Sequence, residues 1–343
     1  MLLRPAGTVC RADDVGYDGP DATVAGITEV AEAVGLDSRP RIVRCAAAGD
    51  GDHFVRHLTA LIIMTALAAA WAPEAAMAAI DAGRLPVEAG GWWRDARTDC
   101  ELWNASPQDD GMVIWSGACV NGRAHGHGMA EWRYIEDDDW VTARYEGEYR
   151  AGRRHGHGLS MMANGDRYRG DYREGQRHGD GVYIWASGDR YQGTWRDGKR
   201  RGLGVWTGAG GHHYEGAWQD DLPNGHGVWV WPSGDRYDGA FADGAPNGTG
   251  IWLSHDGDRY VGEFRNGRAH GHGVWIGFNG DTHDGEWRDN ERQGYGIMSR
   301  VDGSRFEGEF VDDRPDGVGI CRDRSGAWGR CRIANGVILE WLE

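Results

Sequence analysis

Histidine, aspartate and tryptophan recur in this chain at spacings that could carry chemistry. His-Gly-His-Gly occurs at 125–128, 155–158 and 270–273, and His178 and His226 extend the set. His155 and His178 hold equivalent places in neighbouring repeats, so they could stack into a column that ligates zinc or nickel. Elsewhere the same place holds Arg201, Asn224, Asn247, Gln293 and Asp316. A structural metal site wants four close ligands, so the column reads as polar and no metal is expected. Gly-Asp-Arg-Tyr recurs at 165–168, 188–191, 234–237 and 257–260. That spacing matches neither an EF-hand loop nor the calcium-binding nonapeptide repeat. The aspartate reads as a turn residue, and the arginine as a strand residue able to pair with an acid across strands. Glu136-Asp137-Asp138-Asp139 reads as a solvated loop. Tyr183, Trp206, Trp229, Trp252 and Trp275 form an aromatic ladder. Its rings either pack a core or form an exposed platform for sugar, peptide or lipid.

Catalysis finds little support in these residues. A glycoside hydrolase needs a unique carboxylate pair, and nearly every acid here sits at a repeated position. No nucleophile elbow, phosphate-cradling loop or Cys–His pair stands out. The expectation is a non-enzyme without a cofactor. The formal net charge of −16 repels phosphate backbones, which argues against a nucleic-acid partner.

Residues 55–78 carry the marks of a secretory signal peptide: Arg56-His57, the uncharged run Leu58–Ala72, then the small-residue site Ala76-Met77-Ala78. The run is short of the about 20 residues that span a bilayer, although an uncleaved signal would anchor the chain to a membrane. Residues 1–54 then read as disordered or as a mis-assigned start, with translation beginning near Val55. The destination is the periplasm or the exterior. Cys10 and Cys45 precede the cut; Cys100, Cys119, Cys321 and Cys331 follow it. In an exported chain an even count suggests disulfides. The spacing predicts Cys100–Cys119 and Cys321–Cys331, two staples at the ends of a repeat array.

The elements that position all of this repeat every 23 residues. Tyr145, Tyr168, Tyr191, Tyr214, Tyr237, Tyr260, His283 and Phe306 open successive units without insertion. A glycine follows at the third place and an aromatic at the fifth, as in Tyr214-Glu215-Gly216-Ala217-Trp218. In a strand these three places share one face, and the glycine leaves room for a neighbouring ring. A second strand, such as Gly202-Leu203-Gly204-Val205-Trp206, repeats the device after a polar turn at Arg196–Arg201. Asn164-Gly165, Asp256-Gly257 and Asn279-Gly280 mark further turns between units. The expected fold is all-β: an elongated single-layer antiparallel meander of consecutive 23-residue β-hairpins. Each unit would add about 10 Å.

Tyr191-Gln192-Gly193-Thr194-Trp195-Arg196-Asp197-Gly198, ending in Gly202-Leu203-Gly204, closely resembles the MORN repeat. The resemblance covers about residues 115–320. His283 and Phe306 depart at the opening place, and Asp221, Asn290 and Asp313 replace the glycine at the eighth. It implies an extended antiparallel sheet used in protein scaffolding, often homodimerisation, and sometimes in membrane-lipid association. The expected plan is a lead-in at 79–114, the array at 115–323 and a cap at 324–343. The expected function is a protein-binding, self-associating scaffold in the cell envelope. A lipid- or glycan-binding module and an envelope hydrolase are the alternatives.

Overall fold

The computed structural model describes residues 90–105 and 111–342. The expected signal peptide, the start near Val55, Cys10 and Cys45 lie outside the described residues. Those described form one open sheet of 24 strands and no helix. A leading hairpin, β1 (Gly91–Asp95) and β2 (Cys100–Asn104), precedes β3 (Met112–Trp115) and β4 (Ala118–Val120). Both of the latter pair with the long β5 (Arg123–Glu136), which pairs in turn with β6 (Asp139–Arg150). The regular hairpins begin with β7 (Arg153–Met161), β8 (Arg167–Arg173), β9 (Gln176–Ile184), β10 (Arg190–Arg196), β11 (Lys199–Thr207), β12 (His213–Gln219) and β13 (Leu222–Val230). They continue as β14 (Arg236–Ala242), β15 (Ala245–Leu253), β16 (Arg259–Arg265), β17 (Arg268–Ile276), β18 (Thr282–Arg288), β19 (Glu291–Ser299) and β20 (Arg305–Val311). The last are β21 (Arg314–Pro315), β22 (Gly317–Arg322), β23 (Trp328–Ala334) and β24 (Val337–Leu342). From β5 to β20 each strand pairs antiparallel with the next, as a meander requires.

One unit explains the others. Tyr191 lies opposite Trp206 and Gly193 opposite Gly204, with a register shift before Trp195. The shift is a β-bulge, and it places Gly202 at φ +74°, a conformation that favours glycine. The Tyr191 ring lies across Gly204, where a Cβ would fall 2.4 Å from the ring hydroxyl. Its hydroxyl donates to the Thr194 carbonyl at 3.1 Å. Trp195 and the next unit's Trp218 meet the ring edge-on at 5.2 and 5.3 Å. Each such pair contributes about 0.5–1.5 kcal/mol beyond its buried area. A herringbone of rings therefore runs from unit to unit along the inner face and is the core.

The turns are tighter than the sequence suggests. The expected six-residue turn at Arg196–Arg201 contracts to Asp197-Gly198, at φ +51° and +84°, the signature of a two-residue hairpin turn. The expected loop at Glu136–Asp139 is likewise a hairpin tip. Strand pairing runs out to Glu136 and Asp139, and Asp137-Asp138 alone turn the chain.

Neighbouring units are joined at two seams that side chains reinforce. At the turn seam, the amide of the eighth residue donates to the preceding unit, as from Gly198 to the Arg177 carbonyl at 3.0 Å. Where that residue is Asp221, Asn290 or Asp313, its side chain also accepts an amide from Arg200, Ala269 or Arg292 at 2.7–2.9 Å. Pro223, Pro246 and Pro315 have no N–H to offer, and opposite them stand Gly244, Gly267 and Gly336. The departures from glycine thus occur where a donor exists. At the loop seam, the aspartate of Gly-Asp-Arg-Tyr accepts the next loop's amide. Asp166 takes Ala186, Asp235 takes His255 and Asp258 takes Phe278, at 2.8–2.9 Å.

Both ends are capped. Cys100–Cys119 ties β2 to β4, and Cys321–Cys331 ties β22 to β23. These are the two pairings the spacing predicts. At the leading end Trp92 and Trp103 meet at 5.4 Å, with the Arg123 guanidinium 4.2 Å above Trp92 and that of Arg153 4.2 Å above Trp103. Buried Asp95 accepts the Trp115 amide and is paired with Arg97. Burial alone would raise its pKa, but these donors pull it down to about 2.

Candidate interaction surface

The inner face is closed to ligands along most of its length. Tyr183, Trp206, Trp229 and Trp252 are 1–3 % exposed, and Trp275 is half-buried. Trp206 and Trp229 lie 5.7 Å apart, and Trp229 also contacts Tyr214 at 5.7 Å. Four of the five ladder rings are therefore core and present no platform. The physical reason is register: Trp206 faces Tyr191 on one side and Tyr214 on the other, so the ladder packs into the same herringbone.

The histidines are dispersed along the turn seam. His155 reaches Glu174 at 3.8 Å, His178 reaches Asp197 at 3.6 Å and His270 reaches Asp289 at 3.8 Å. Each pairs across a seam with one acid, and among the described residues no three metal-ligating side chains converge. The Gly-Asp-Arg-Tyr aspartates, read from sequence as turn decoration, are the loop-seam clasps. Their constant 20-residue spacing to a following backbone amide is the signal that could find them.

The outer face is where side chains remain free. The strand neighbours of the buried rings point there, and register lines them into rows along the array, two of which are strongly patterned. One row alternates arginine with an aliphatic: Arg236 beside Leu253, Leu253 beside Arg259, Arg259 beside Ile276. Arg144, Arg167, Arg190 and Arg305 hold the same place in other units; His213 and Thr282 interrupt the arginines, and Thr207, Ser299 and Arg322 interrupt the aliphatics. The second row, two residues along each strand, alternates an acid with an aliphatic: Glu215 beside Val228, Val228 beside Asp238, Asp238 beside Ile251. Arg169, Gln192 and Val261 are its exceptions. Arg236 meets Asp238 at 2.7 Å and Arg305 meets Glu307 at 3.0 Å across the two rows. The aliphatics, among them Val205, Val228, Ile251 and Val274, are half-buried, and no second layer covers them among the described residues. In the sequence they mark only the second strand of each hairpin, because a single repeat shows their type but not their alignment.

The MORN repeat family matches residues 117–133 and then eight consecutive segments that run without a gap from 145 to 328. The chain belongs to the MORN repeat family. The match spans more than half of the chain, and its boundaries fall on the opening residues Tyr145 through Phe306. No curated protein matches the chain. Among solved structures, the MORN array is similar to the TCP domain of SAS-4 from Drosophila melanogaster, in complex with a proline-rich motif of Ana2. That likeness has 11% identity, covers 51% of this chain and 83% of that one, and has a TM-score of 0.23. A streptogramin B lyase follows at 12% identity, 65% and 74% coverage and a TM-score of 0.14. A virginiamycin B lyase from Staphylococcus aureus gives 11%, 65%, 75% and 0.14. Scores at this level carry no argument for a shared fold. MORN repeats are in general non-enzymatic interaction repeats, for protein or membrane.

Proposed function

We propose that this MORN array is a non-enzymatic scaffold of the cell envelope that binds protein through its outer face. The observation that carries the reading is the uncovered outer band of half-buried aliphatics bordered by charge. Such a band is too apolar to be idle surface and too polar to be a core, the usual balance of an interface. The two disulfides favour an oxidising compartment, and hence export. The test places a photo-crosslinking residue at Val228 or Ile251 in the host, followed by fractionation. Protein adducts in the envelope fraction support the reading. Adducts in the cytoplasm with free thiols at all four cysteines remove the envelope, and an absence of protein adducts removes the scaffold.

A second reading, binding to anionic lipid, draws on the arginine–aliphatic row alone. Arg167 and Arg259 make no ion pair among the described residues, although the net charge of −16 opposes approach to an anionic surface. Co-sedimentation with anionic vesicles tests it. A glycan platform loses its support with the burial of the ladder.

A further inference from the structure

The two outer rows carry opposite charge, and that polarity selects a partner and an orientation. We infer that the outer face of the array packs against the same face of a second copy, with the two arrays parallel and related by a two-fold axis along the array. The inference rests on the proposed protein-binding role of this face and names its occupant.

The argument is one of symmetry. Take the array axis as one direction and the strand direction as the other. The arginine row lies on one side of the midline and the acid row on the other. A two-fold axis along the array exchanges the sides, so each arginine row lies over the partner copy's acid row. A two-fold axis along the strands keeps the sides and lays arginine on arginine and acid on acid. Like charges brought together in an interface cost several kcal/mol, so the first arrangement is selected.

It also matches strand against strand. Arg236 comes over Asp238 of the second copy, Arg305 over Glu307 and Arg144 over Glu146. The interruptions follow suit. Where the basic row holds His213 or Thr282, the acid opposite is Glu215 or Asp284. Arg190 meets Gln192 and Arg259 meets Val261, both neutral; only Arg167 opposite Arg169 is a like pair. The ion pairs within one copy, Arg236–Asp238 and Arg305–Glu307, become four-charge networks across the interface. Between the charges the aliphatics of both copies meet and lose the rest of their exposure. Stacked sheets lie about 10 Å apart, and two sheets that twist about a shared axis keep this contact along their length.

The experiment uses the full chain with Cys10→Ser and Cys45→Ser and both disulfides intact. Sedimentation equilibrium measures the mass. The expected result is a dimer whose Kd rises at least 30-fold on Arg144→Glu, Arg236→Glu and Arg305→Glu together, with the far-UV circular dichroism spectrum unchanged. The reverse set, Glu146→Lys, Asp238→Lys and Glu307→Lys, is monomeric alone and dimeric when mixed with the first. Orientation is read from spin labels on Met161→Cys and, separately, Ser299→Cys. Parallel packing puts each label within about 30 Å of its copy, since the sheets are about 10 Å apart. Antiparallel packing puts at least one of the two pairs on the order of 60 Å apart, because about twelve strand spacings separate the sites. A wild-type monomer at 0.1 mM scale (roughly 10⁻⁴ M, weak for a stable interface) overturns the inference, as does the long distance. If the monomer still gives adducts to another protein at Val228, the scaffold reading stands and only the self-pairing falls.

Discussion

Tyr214 and His283 occupy the same slot three units apart, and the array treats them differently. Both rings are fully buried, and both meet an edge-on aromatic of their own unit, Trp218 at 5.1 Å and Trp287 at 5.3 Å. Tyr214 also donates its hydroxyl to the Ala217 carbonyl at 2.8 Å. His283 has two ring nitrogens and, among the described residues, neither finds a partner. Phe306, which opens the next unit, has no polar atom to satisfy. The herringbone therefore requires a flat ring and only prefers the hydroxyl. The tyrosine rings are locked by a hydrogen bond; the opening rings of the last two units, His283 and Phe306, are held by packing alone.

The glycine beneath the ring gives the largest contrast between these regions. At Gly216 a Cβ would fall 2.5 Å from the Gly227 Cα and 2.6 Å from the Tyr214 hydroxyl, so backbone and a bonded ring must both move. At Gly308 the nearest atom is the Phe306 ring at 2.7 Å, and Gly319 Cα stands back at 3.2 Å. Gly216→Ala is expected to cost more than about 3 kcal/mol, and Gly308→Ala about half of that. Thermal melts followed by tryptophan fluorescence decide it; equal costs would mean the tyrosine units are no more tightly locked.

The staples compare the two ends. Cys100–Cys119 closes a separation of 19 residues and Cys321–Cys331 one of 10. Replacing either pair by serine should cost about 2–4 kcal/mol, the leading pair more by about 0.6 kcal/mol on loop entropy. Hydrogen exchange localises the loss: opening confined to the stapled end, with Tyr191–Phe264 still protected, is the expected pattern in a chain of nearest-neighbour units.

How far the sequence exposed this plan depends on the range of each signal. The hairpin meander, the inward rings and both disulfides follow from residue type at fixed spacing, since each depends on one unit or its neighbour. The two-residue turns were obscured because Arg196–Arg201 is polar throughout and the bulge at Gly202 hides where pairing begins. The fate of Trp206 was undecided because a strand shows two faces and the sequence does not say which one curls inward. The outer rows emerge only when registers across all hairpins are joined, and the loop-seam clasps only when Asp235 is set against an amide one unit later.

His283 should make the last units acid-sensitive. Burial, then Arg292 and His272, lower its pKa from 6.5 to about 3. The folded ring stays neutral while the unfolded one takes a proton, so stability is full above about pH 6.5 and is lost as pH falls toward 3. At pH 4 the deficit should be about 3 kcal/mol relative to His283→Phe, which has nothing to charge. His283→Tyr should gain about 1 kcal/mol at neutral pH through a hydroxyl bond to the Glu286 carbonyl. Melts of the three proteins at pH 7 and pH 4 check both. A pH-independent gap would place the weakness in packing instead.

The smallest effect isolates a single clasp. Every loop-seam aspartate from Asp166 to Asp281 accepts an amide, but one unit lacks both halves: His212 stands where the acid would be and Pro232 where the N–H would be. An unanswered carboxylate or an unanswered amide would each cost desolvation, so losing both together is cheaper than losing one. Asp235→Ala should therefore cost about 1–2 kcal/mol, because the His255 amide is left behind. His212→Asp alone should gain nothing. Combined with Pro232→Ala it should recover about 1 kcal/mol of coupling in a double-mutant cycle. Additive single effects would mean that the aspartates shape the loop without tying it to the next unit. A positive coupling energy would mean that Pro232 and His212 compensate each other, and that the array tolerates an unclasped seam because the rings beneath it, Trp206 and Trp229, already hold the two units together.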